Sequence, residues 1–191
     1  GLLDWTVNGR APGRYGNRPT HVNVAPHGVY RCLGDDRWCA IAVFTEEEWS
    51  VFRRVIGEPQ WTREPRFEKA ESRAKHADEL DRLVEEWTST QVAEDVMEAL
   101  QKAGVAAGVV QNAQDLIERD PHLKERGFYV ELEHPEVGPK LFEGTPIKMS
   151  ETPGGPRQTA PLLGQDNEFV YRDILGMPDE EFVQYIIDEV V

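Results

Sequence analysis

Apolar residues recur along the chain with two different spacings, and the first of these predicts strands. Residues 28–33 and 37–44 are rich in β-branched and aromatic side chains, and they flank the turn residues Gly34-Asp35-Asp36. Two such runs around a Gly/Asp turn predict a β-hairpin. The second run is apolar at successive positions, which indicates a strand that is covered on both faces.

The second spacing is helical, and it predicts three helices after the hairpin. The first begins at Thr45, where the Thr45 hydroxyl and the Glu48 carboxylate form a capping box. A linker over residues 58–65 precedes a long amphipathic helix, and Thr90 caps a third helix that ends at Gly104. The apolar stripes of the three helices are, in order, Trp49, Phe52, Val55 and Ile56; Leu80, Leu83, Val84 and Trp87; and Val92, Val96 and Leu100.

Shorter strands and helices are predicted beyond Gly104. Residues 105–110 form a nearly all-apolar run, which predicts a short strand. The remaining pattern predicts, in chain order, a helix over 112–119, strands over 128–133 and 139–149, an extended connector over 151–161, and helices over 165–175 and 179–190. The fold class is therefore α+β (mixed), with a small domain made of the hairpin and three helices.

Composition excludes some classes of partner. The 191 residues carry a formal net charge of −14, from 35 acidic and 21 basic side chains. Phosphate binding depends on Lys and Arg, so we expect no nucleic-acid partner and no anionic membrane partner. No run approaches the roughly 20 apolar residues that span a bilayer. Because no secretory leader is visible, we expect a cytoplasmic protein.

Cysteines and histidines offer little chemistry of their own. If Asp35-Asp36 forms a two-residue hairpin tip, Cys32 and Cys39 lie directly opposite each other, close enough in principle for a disulfide. We expect both to be reduced and half-buried, since nothing else indicates secretion. The histidines show no paired spacing of the kind that metal sites use, so we expect no metal site. They are His21, His27, His76, His122 and His134.

Several stretches, in this order, resemble the family III CoA-transferases, the CaiB/BaiF group that includes formyl-CoA and carnitine CoA-transferases. No single stretch is decisive, but their order and spacing are specific. The resemblance covers only the C-terminal half of that family. The stretches are Ala25-Pro26-His27-Gly28-Val29-Tyr30 with Gly34-Asp35-Asp36-Arg37-Trp38, Gly104-Val105-Ala106-Ala107-Gly108-Val109-Val110, Asp120-Pro121-His122-Leu123 with Arg126-Gly127, and Ala160-Pro161-Leu162-Leu163-Gly164-Gln165.

The resemblance implies an architecture. Members of the family form interlocked homodimers, in which both chain ends build a Rossmann-like large domain and a smaller α+β domain is inserted between them. On that mapping residues 1–27 are a loop or linker, 28–103 are the small domain, and 104–191 return into the large domain. The partner of this chain would be its own N-terminal half or a second subunit. We then expect apolar surface at residues 105–110 and on the final helix, and self-association through this half.

The resemblance also implies an activity. The family moves CoA from an acyl-CoA to a carboxylic acid through an aspartyl anhydride and an aspartyl-CoA thioester, with CoA as a substrate rather than a tightly bound cofactor. The nucleophilic aspartate, and most residues that hold the CoA adenine and phosphates, belong to the N-terminal half. We therefore expect no catalytic residue in this chain, and no activity from it alone.

Candidate substrate contacts lie in the loop before the hairpin, where formyl-CoA transferase has a glycine-rich loop over the intermediate. This sequence departs from the glycine run and carries polar side chains instead. His21 and His27 are interpreted either as substrate contacts or as loop residues with local hydrogen bonds, and Arg18 either as a carboxylate clamp or as a solvated side chain. The substrate-binding candidates are Arg18, His21, Asn23, His27 and Gly28.

Two other functions stay open. Racemisation of α-methylacyl-CoA uses a related scaffold, but it requires an acid and a base beside the α-carbon, again from outside this chain. The Ala25-Pro26-His27-Gly28 stretch resembles the transferases more closely. The second alternative is a non-catalytic split subunit or interaction domain that binds a separate N-terminal chain.

Overall fold

The computed structural model of the chain describes residues 1–10, 13, 16–19 and 23–191. These residues form two compact units, Gly1–Gln111 and Asn112–Val191. Helices and short antiparallel sheets occur in both, which confirms the prediction of a mixed α+β fold. A short exposed helix, α1 (Leu2–Asn8), opens the first unit.

The sheet of the first unit has three antiparallel strands in the order β1-β2-β3. Strand β1 (His27–Arg31) and strand β2 (Trp38–Ala42) form the predicted hairpin. Strand β3 (Ala106–Val109) confirms the strand predicted over 105–110, and it follows Gly104, whose φ of 87° ends the preceding helix. The strand that follows Gly104 thus pairs with the hairpin, inside the first unit.

The hairpin register differs from the prediction. Tyr30 lies opposite Cys39, and the Cys32 amide donates to the Arg37 carbonyl at 2.8 Å, so the loop has four residues rather than two. The Leu33 amide donates to the Gln91 carbonyl at 2.8 Å, which holds Leu33 out of the ladder. Cys32 and Cys39 are therefore not directly opposite, and both are free, buried thiols.

The first helix after the hairpin confirms its predicted start. Helix α2 (Glu46–Val55) is capped by Thr45, whose hydroxyl accepts from the Glu48 amide at 3.1 Å. The Glu48 carboxylate accepts from the Thr45 amide at 3.3 Å and completes the capping box. Three acidic side chains in the first turn also suit the positive end of the helix dipole.

The predicted long helix is instead three shorter ones. A 3₁₀ turn (Gln60–Arg63) leads to α3 (Pro65–Glu68), α4 (Ala70–Lys75) and α5 (Ala77–Thr88). The helix breaks at Lys69, which is extended at φ −113° and ψ 147°, and again at His76. Helix α6 (Ala93–Lys102) begins after Val92 rather than at Thr90. The Thr90 hydroxyl instead donates to the Trp87 carbonyl at the end of α5.

The core of the first unit lies on one face of its sheet. Alternate side chains of β1 and β2, including Tyr30, Cys39 and Ile41, are buried there with residues of α2, α5 and α6. The intervening positions, Val29, Ala40 and Ala42, face the other way and stay partly exposed. One face of the sheet therefore carries the core and the opposite face is open.

The second unit is built around a hairpin of β4 (Tyr129–His134) and β5 (Gly138–Glu143). This confirms the paired strands predicted there, with the second ending before Gly144. The extended connector is confirmed as well. The helical segments are a π-helical turn (Asp115–Arg119), α7 (Pro121–Glu125), a second π-helical turn (Phe169–Ile174) and α8 (Asp179–Ile187).

Apolar exposure follows the prediction at the final helix but not along all of residues 105–110. Val105 is buried at 2% exposure, whereas Ala106 and Val110 are exposed, the latter at 43%. On α8, Phe182 is buried against Tyr171. The exposed apolar residues of the C-terminal segment are Val183, Ile186, Ile187 and Val190.

The compact units do not divide at the predicted domain boundary. They meet at Gln111, whereas the sequence-based boundary lay at residue 104. How either unit contributes to the domains of a longer protein stays a prediction. Of the helices that the structure describes, none is both long and apolar enough to cross a bilayer.

Candidate functional site

His27 is fixed at the start of β1 by the preceding loop. Its Nδ1 atom lies 2.6 Å from the Asn17 carbonyl oxygen, and its ring meets the edge of Phe44 with centroids 6.0 Å apart. A carbonyl only accepts, so Nδ1 carries the proton and donates. In the neutral ring Nε2 is then the acceptor. The Asn17 carbonyl thus sets the tautomer of His27. Asn17 was not among the residues that the sequence analysis identified.

Arg18 is tied to α5 rather than extended into solvent. Its Nη2 lies 2.9 Å from Asp78 Oδ1 and 2.5 Å from Asp81 Oδ2. The other oxygen of Asp81 accepts a 2.7 Å hydrogen bond from the Tyr30 hydroxyl. The two aspartates hold the Arg18 guanidinium, which anchors the loop that carries Asn17.

Tyr30 is a neutral hydrogen-bond donor at the site. Its side chain is 2% exposed, and burial together with the neighbouring Asp81 carboxylate raises the pKa of its hydroxyl above the ordinary value. A phenol that stays protonated donates steadily to Asp81. Asp81 therefore receives two donors, from Arg18 and Tyr30, and these bonds give it a structural role.

A buried arginine holds the backbone just before His27. Arg73 is 1% exposed, and its Nε donates to the Ala25 carbonyl at 3.0 Å. Its Nη1 donates to Glu46 Oε2 at 3.0 Å and to the Phe67 carbonyl at 3.2 Å. Its guanidinium also lies 4.6 Å from the ring centroid of Trp49. Burial lowers the pKa of Arg73, although the Glu46 carboxylate opposes that shift.

Two clefts flank His27. One has a volume of about 360 Å³ and is mainly apolar, and the other has about 380 Å³ and is lined by charged groups. The apolar cleft is lined by Asn17, His27, Gly28, Val29, Ala40, Ile41, Ala42, Ala106, Ala107 and Gly108. The polar cleft is lined by Gly16, Asn17, Arg18, His27, Gly28, Val29, Tyr30, Asp81, Arg82 and Glu85.

Two glycines that line the apolar cleft have different surroundings. A Cβ atom placed on Gly28 would lie 3.0 Å from the ring of Tyr30, so this position requires glycine or a shift of the tyrosine. A Cβ atom on Gly108 would meet no atom within 4 Å. Gly28 therefore packs closely against Tyr30, whereas open space is left beside Gly108 on β3.

The structure brings together three of the five predicted substrate-binding residues. Arg18, His27 and Gly28 all line the polar cleft, and His27 and Gly28 also line the apolar one. Asn23 is exposed and lines neither of these clefts. His21 lies outside the described residues. Arg18 pairs with two aspartates and its side chain remains 33% exposed, so its role as a carboxylate clamp or as a solvated side chain stays a prediction.

The thiols beside the site are poor nucleophiles. Burial raises the pKa of the Cys39 thiol to about 12, and burial also raises the pKa of the Cys32 thiol. A thiol that is protonated and buried at neutral pH neither attacks carbonyls nor binds metals readily. Within the described parts of the chain, no cluster of three or more His, Cys, Asp or Glu side chains could hold a metal ion.

Comparison with known proteins places the chain in a family. The profile of CoA-transferase family III matches residues 2–167. A probable CoA-transferase of Mycobacterium tuberculosis is 37% identical over 172 residues, which are 90% of this chain and 22% of that protein. A formyl-CoA:oxalate CoA-transferase of Rhodopseudomonas palustris is 34% identical over 136 residues, which are 71% of this chain and 32% of that protein.

A solved structure supports the fold. A CaiB/BaiF family protein from Brucella suis superposes with a TM-score of 0.74 at 24% identity, over 90% of this chain and 43% of that one. The chain thus spans less than half the length of the relatives that it matches. The profile match covers most of the 191 residues. The chain therefore belongs to CoA-transferase family III.

Proposed function

We propose that the chain is the C-terminal part of an acyl-CoA:carboxylate CoA-transferase and that the site around His27 contributes contacts to its substrates. Family membership supports the reaction class. The assignment of the site rests on one observation: the imidazole of His27 is held in place and borders both an apolar and a polar cleft. Acyl-CoA molecules and carboxylic acids have apolar and polar parts, which would fit the apolar and the polar cleft respectively.

In the proposed reaction an aspartate carboxylate attacks the thioester carbonyl, the C–S bond breaks, and CoA leaves as the thiolate. The thiolate then attacks the aspartyl carbonyl of the mixed anhydride, which releases the first carboxylic acid as its carboxylate and leaves aspartyl-CoA. The acceptor carboxylate attacks that thioester, and thiolate attack on the new acyl carbonyl regenerates the aspartate. A carboxylate suits this role because its acylated forms stay activated for the next transfer.

We place the nucleophilic aspartate outside these 191 residues. No carboxylate lines the apolar cleft as far as the structure describes it. In the polar cleft, Asp81 is already bound by Arg18 and Tyr30. The other carboxylate of that lining, Glu85, is a glutamate that accepts from the Arg31 amide at 3.4 Å. The relatives are also more than twice the length of their match to this chain, which leaves room for a second set of residues.

His27 would act as a polar contact at the edge of the reacting groups. Its neutral ring accepts through Nε2, and its protonated ring donates to a carboxylate oxygen. The anchored loop would also help to exclude water, because hydrolysis of an anhydride competes with transfer. Arg18 and Arg73 would be positioning residues, since they hold the segments on either side of the site.

The test is a CoA-transfer assay on the 191-residue chain and on a longer protein that includes the N-terminal half. We expect transfer only from the longer protein. In that protein, His27→Phe keeps a ring against Phe44 and removes the polar atoms. It should lower kcat/KM by about tenfold or more, as the loss of a hydrogen bond to a charged group would.

His122→Phe serves as the matched control, because the His122 side chain is exposed and lines neither cleft, and it should leave kcat/KM unchanged. Equal activity in the His27 and His122 variants would remove His27 from the site. Racemisation of an α-methylacyl-CoA without transfer would contradict the transferase proposal.

A further inference from the structure

We propose that the apolar cleft binds the apolar body of a multi-carbon acyl group and that Gly108 helps to set the acyl length the enzyme accepts. This inference rests on the proposed function and names its substrate class. The substrate would be an acyl-CoA with a chain of several carbons, rather than a one-carbon acyl-CoA.

The floor of the cleft is a patch of the sheet formed mainly by alanine, glycine and β-branched residues. Strand pairing places Ala42 opposite Ala106 and Ala40 opposite Gly108. On the other side of β2, Val29 lies opposite Ala40. Three adjacent strands thus present a recessed apolar surface on the face that carries no core.

The size of the cleft argues for a chain of several carbons. Its volume of about 360 Å³ corresponds to roughly a dozen water molecules at about 30 Å³ each. A formyl group would leave most of that space to water. Each methylene buried in the cleft should raise affinity about fourfold, which follows from the transfer free energy of a methylene.

The polar groups at the edge fix the orientation of the ligand. His27 and Asn17 line both clefts, so the apolar cleft opens beside the charged one. A ligand that fills both has an apolar end and a polar end. An acyl thioester fits, with its chain over the alanines and its carbonyl near His27.

The same surface is a poor match to a docked protein segment. Cores of protein interfaces are enriched in aromatic residues, Met and Arg, which project into pockets of the partner. The lining of this cleft contains no Phe, Tyr, Trp, Met or Arg, and its largest apolar side chains are Val29 and Ile41. A thin, flexible acyl chain fills such a recess better than a protein segment does.

Gly108→Leu tests the inference without straining the backbone. The φ of Gly108 lies outside the left-handed region, and a Cβ atom there meets no atom within 4 Å, so the new side chain enters open space in the cleft. In the longer protein, the ratio of kcat/KM for hexanoyl-CoA to that for acetyl-CoA should fall by at least about tenfold.

Val110→Leu is the matched control, because Val110 follows the same strand, is 43% exposed and does not line the cleft. Its ratio should equal that of the wild type. Thermal melting of each variant separates a loss of folding from a change in acyl-chain preference. An equal loss of kcat/KM with both acyl-CoAs would show that a protein segment fills the cleft, and it would overturn the inference.

The outcomes distinguish this inference from the proposed function. Transfer with formyl-CoA but not with hexanoyl-CoA in the wild type would refute the multi-carbon substrate and leave the transferase intact. An unchanged ratio in Gly108→Leu would refute the role of Gly108. Absence of transfer with every acyl-CoA would instead contradict the proposed function, and the inference would fall with it.

Discussion

Replacing Arg73 with methionine should destabilise the first unit strongly, although methionine fills much of the same space. Arg73 is 1% exposed and donates to the carbonyls of Ala25 and Phe67 and to the Glu46 carboxylate. Methionine removes all of these donors and the contact of the cation with Trp49. The variant therefore isolates the polar contribution of Arg73 from its packing.

The expected loss is about 3 kcal/mol. A buried carbonyl left without a donor costs about 1–3 kcal/mol, and the Ala25 and Phe67 carbonyls both bond to Arg73 in the buried interior. Glu46 adds less, because its side chain is 51% exposed and water can replace Arg73. Removing the cost of burying a guanidinium offsets part of this loss, so the two carbonyls account for most of the expected change.

Urea unfolding followed by tryptophan fluorescence measures this loss, since all five tryptophans lie in the first unit. With a slope of about 2 kcal/mol per molar urea, the midpoint should fall by about 1.5 M. Arg63→Met is the control, because Arg63 is 65% exposed and pairs with Glu58 at the surface, so it should change stability by less than about 0.5 kcal/mol. A loss below about 1 kcal/mol for Arg73→Met would refute the reasoning.

Other predictions concern ionisation and association. Because the pKa of Tyr30 is raised above its unfolded value, its contribution to stability is present below about pH 10 and is lost as the pH rises. Urea midpoints at pH 8 and 10.5 should therefore differ less in Tyr30→Phe than in the wild type, and an equal difference would contradict this. Cys39, with its pKa raised to about 12, should react with iodoacetamide far more slowly in the native chain than in urea, and equal rates would show an accessible thiolate. The exposed apolar residues of α8 predict self-association, which Ile186→Lys should weaken in sedimentation experiments; a monomer at high concentration in the wild type would count against it.

Features set by neighbouring residues were predictable from the sequence. The capping box at Thr45 depends on residues three positions apart, and the end of α6 depends on a glycine that adopts positive φ at Gly104. The hairpin was predictable for the same reason, but its register was not. A hydrogen bond from Leu33 to Gln91, across 58 positions of sequence, decides the length of the loop.

Much of the candidate site depends on pairings between distant residues. Arg73 bonds to the Ala25 carbonyl 48 positions earlier, and Arg18 pairs with Asp81 in a different element. Neither contact leaves a pattern in the sequence. Arg73 binds a backbone carbonyl, which every residue has, and Arg18 binds one acidic residue among many. The family resemblance directed attention to His27 and Gly28, and the structure then identified Asn17 as the group that sets the tautomer of His27.

Peptide mapping of a trapped covalent adduct tests the central claim most directly. The longer protein would be incubated with an acyl-CoA, and intact mass and then proteolytic peptides would locate the acyl or CoA adduct. The account predicts an adduct on an aspartate outside these 191 residues, and no adduct when the 191-residue chain is incubated alone. An adduct on an aspartate or glutamate within this chain would contradict the account, because it would place the nucleophile among residues that we assign only to binding and positioning.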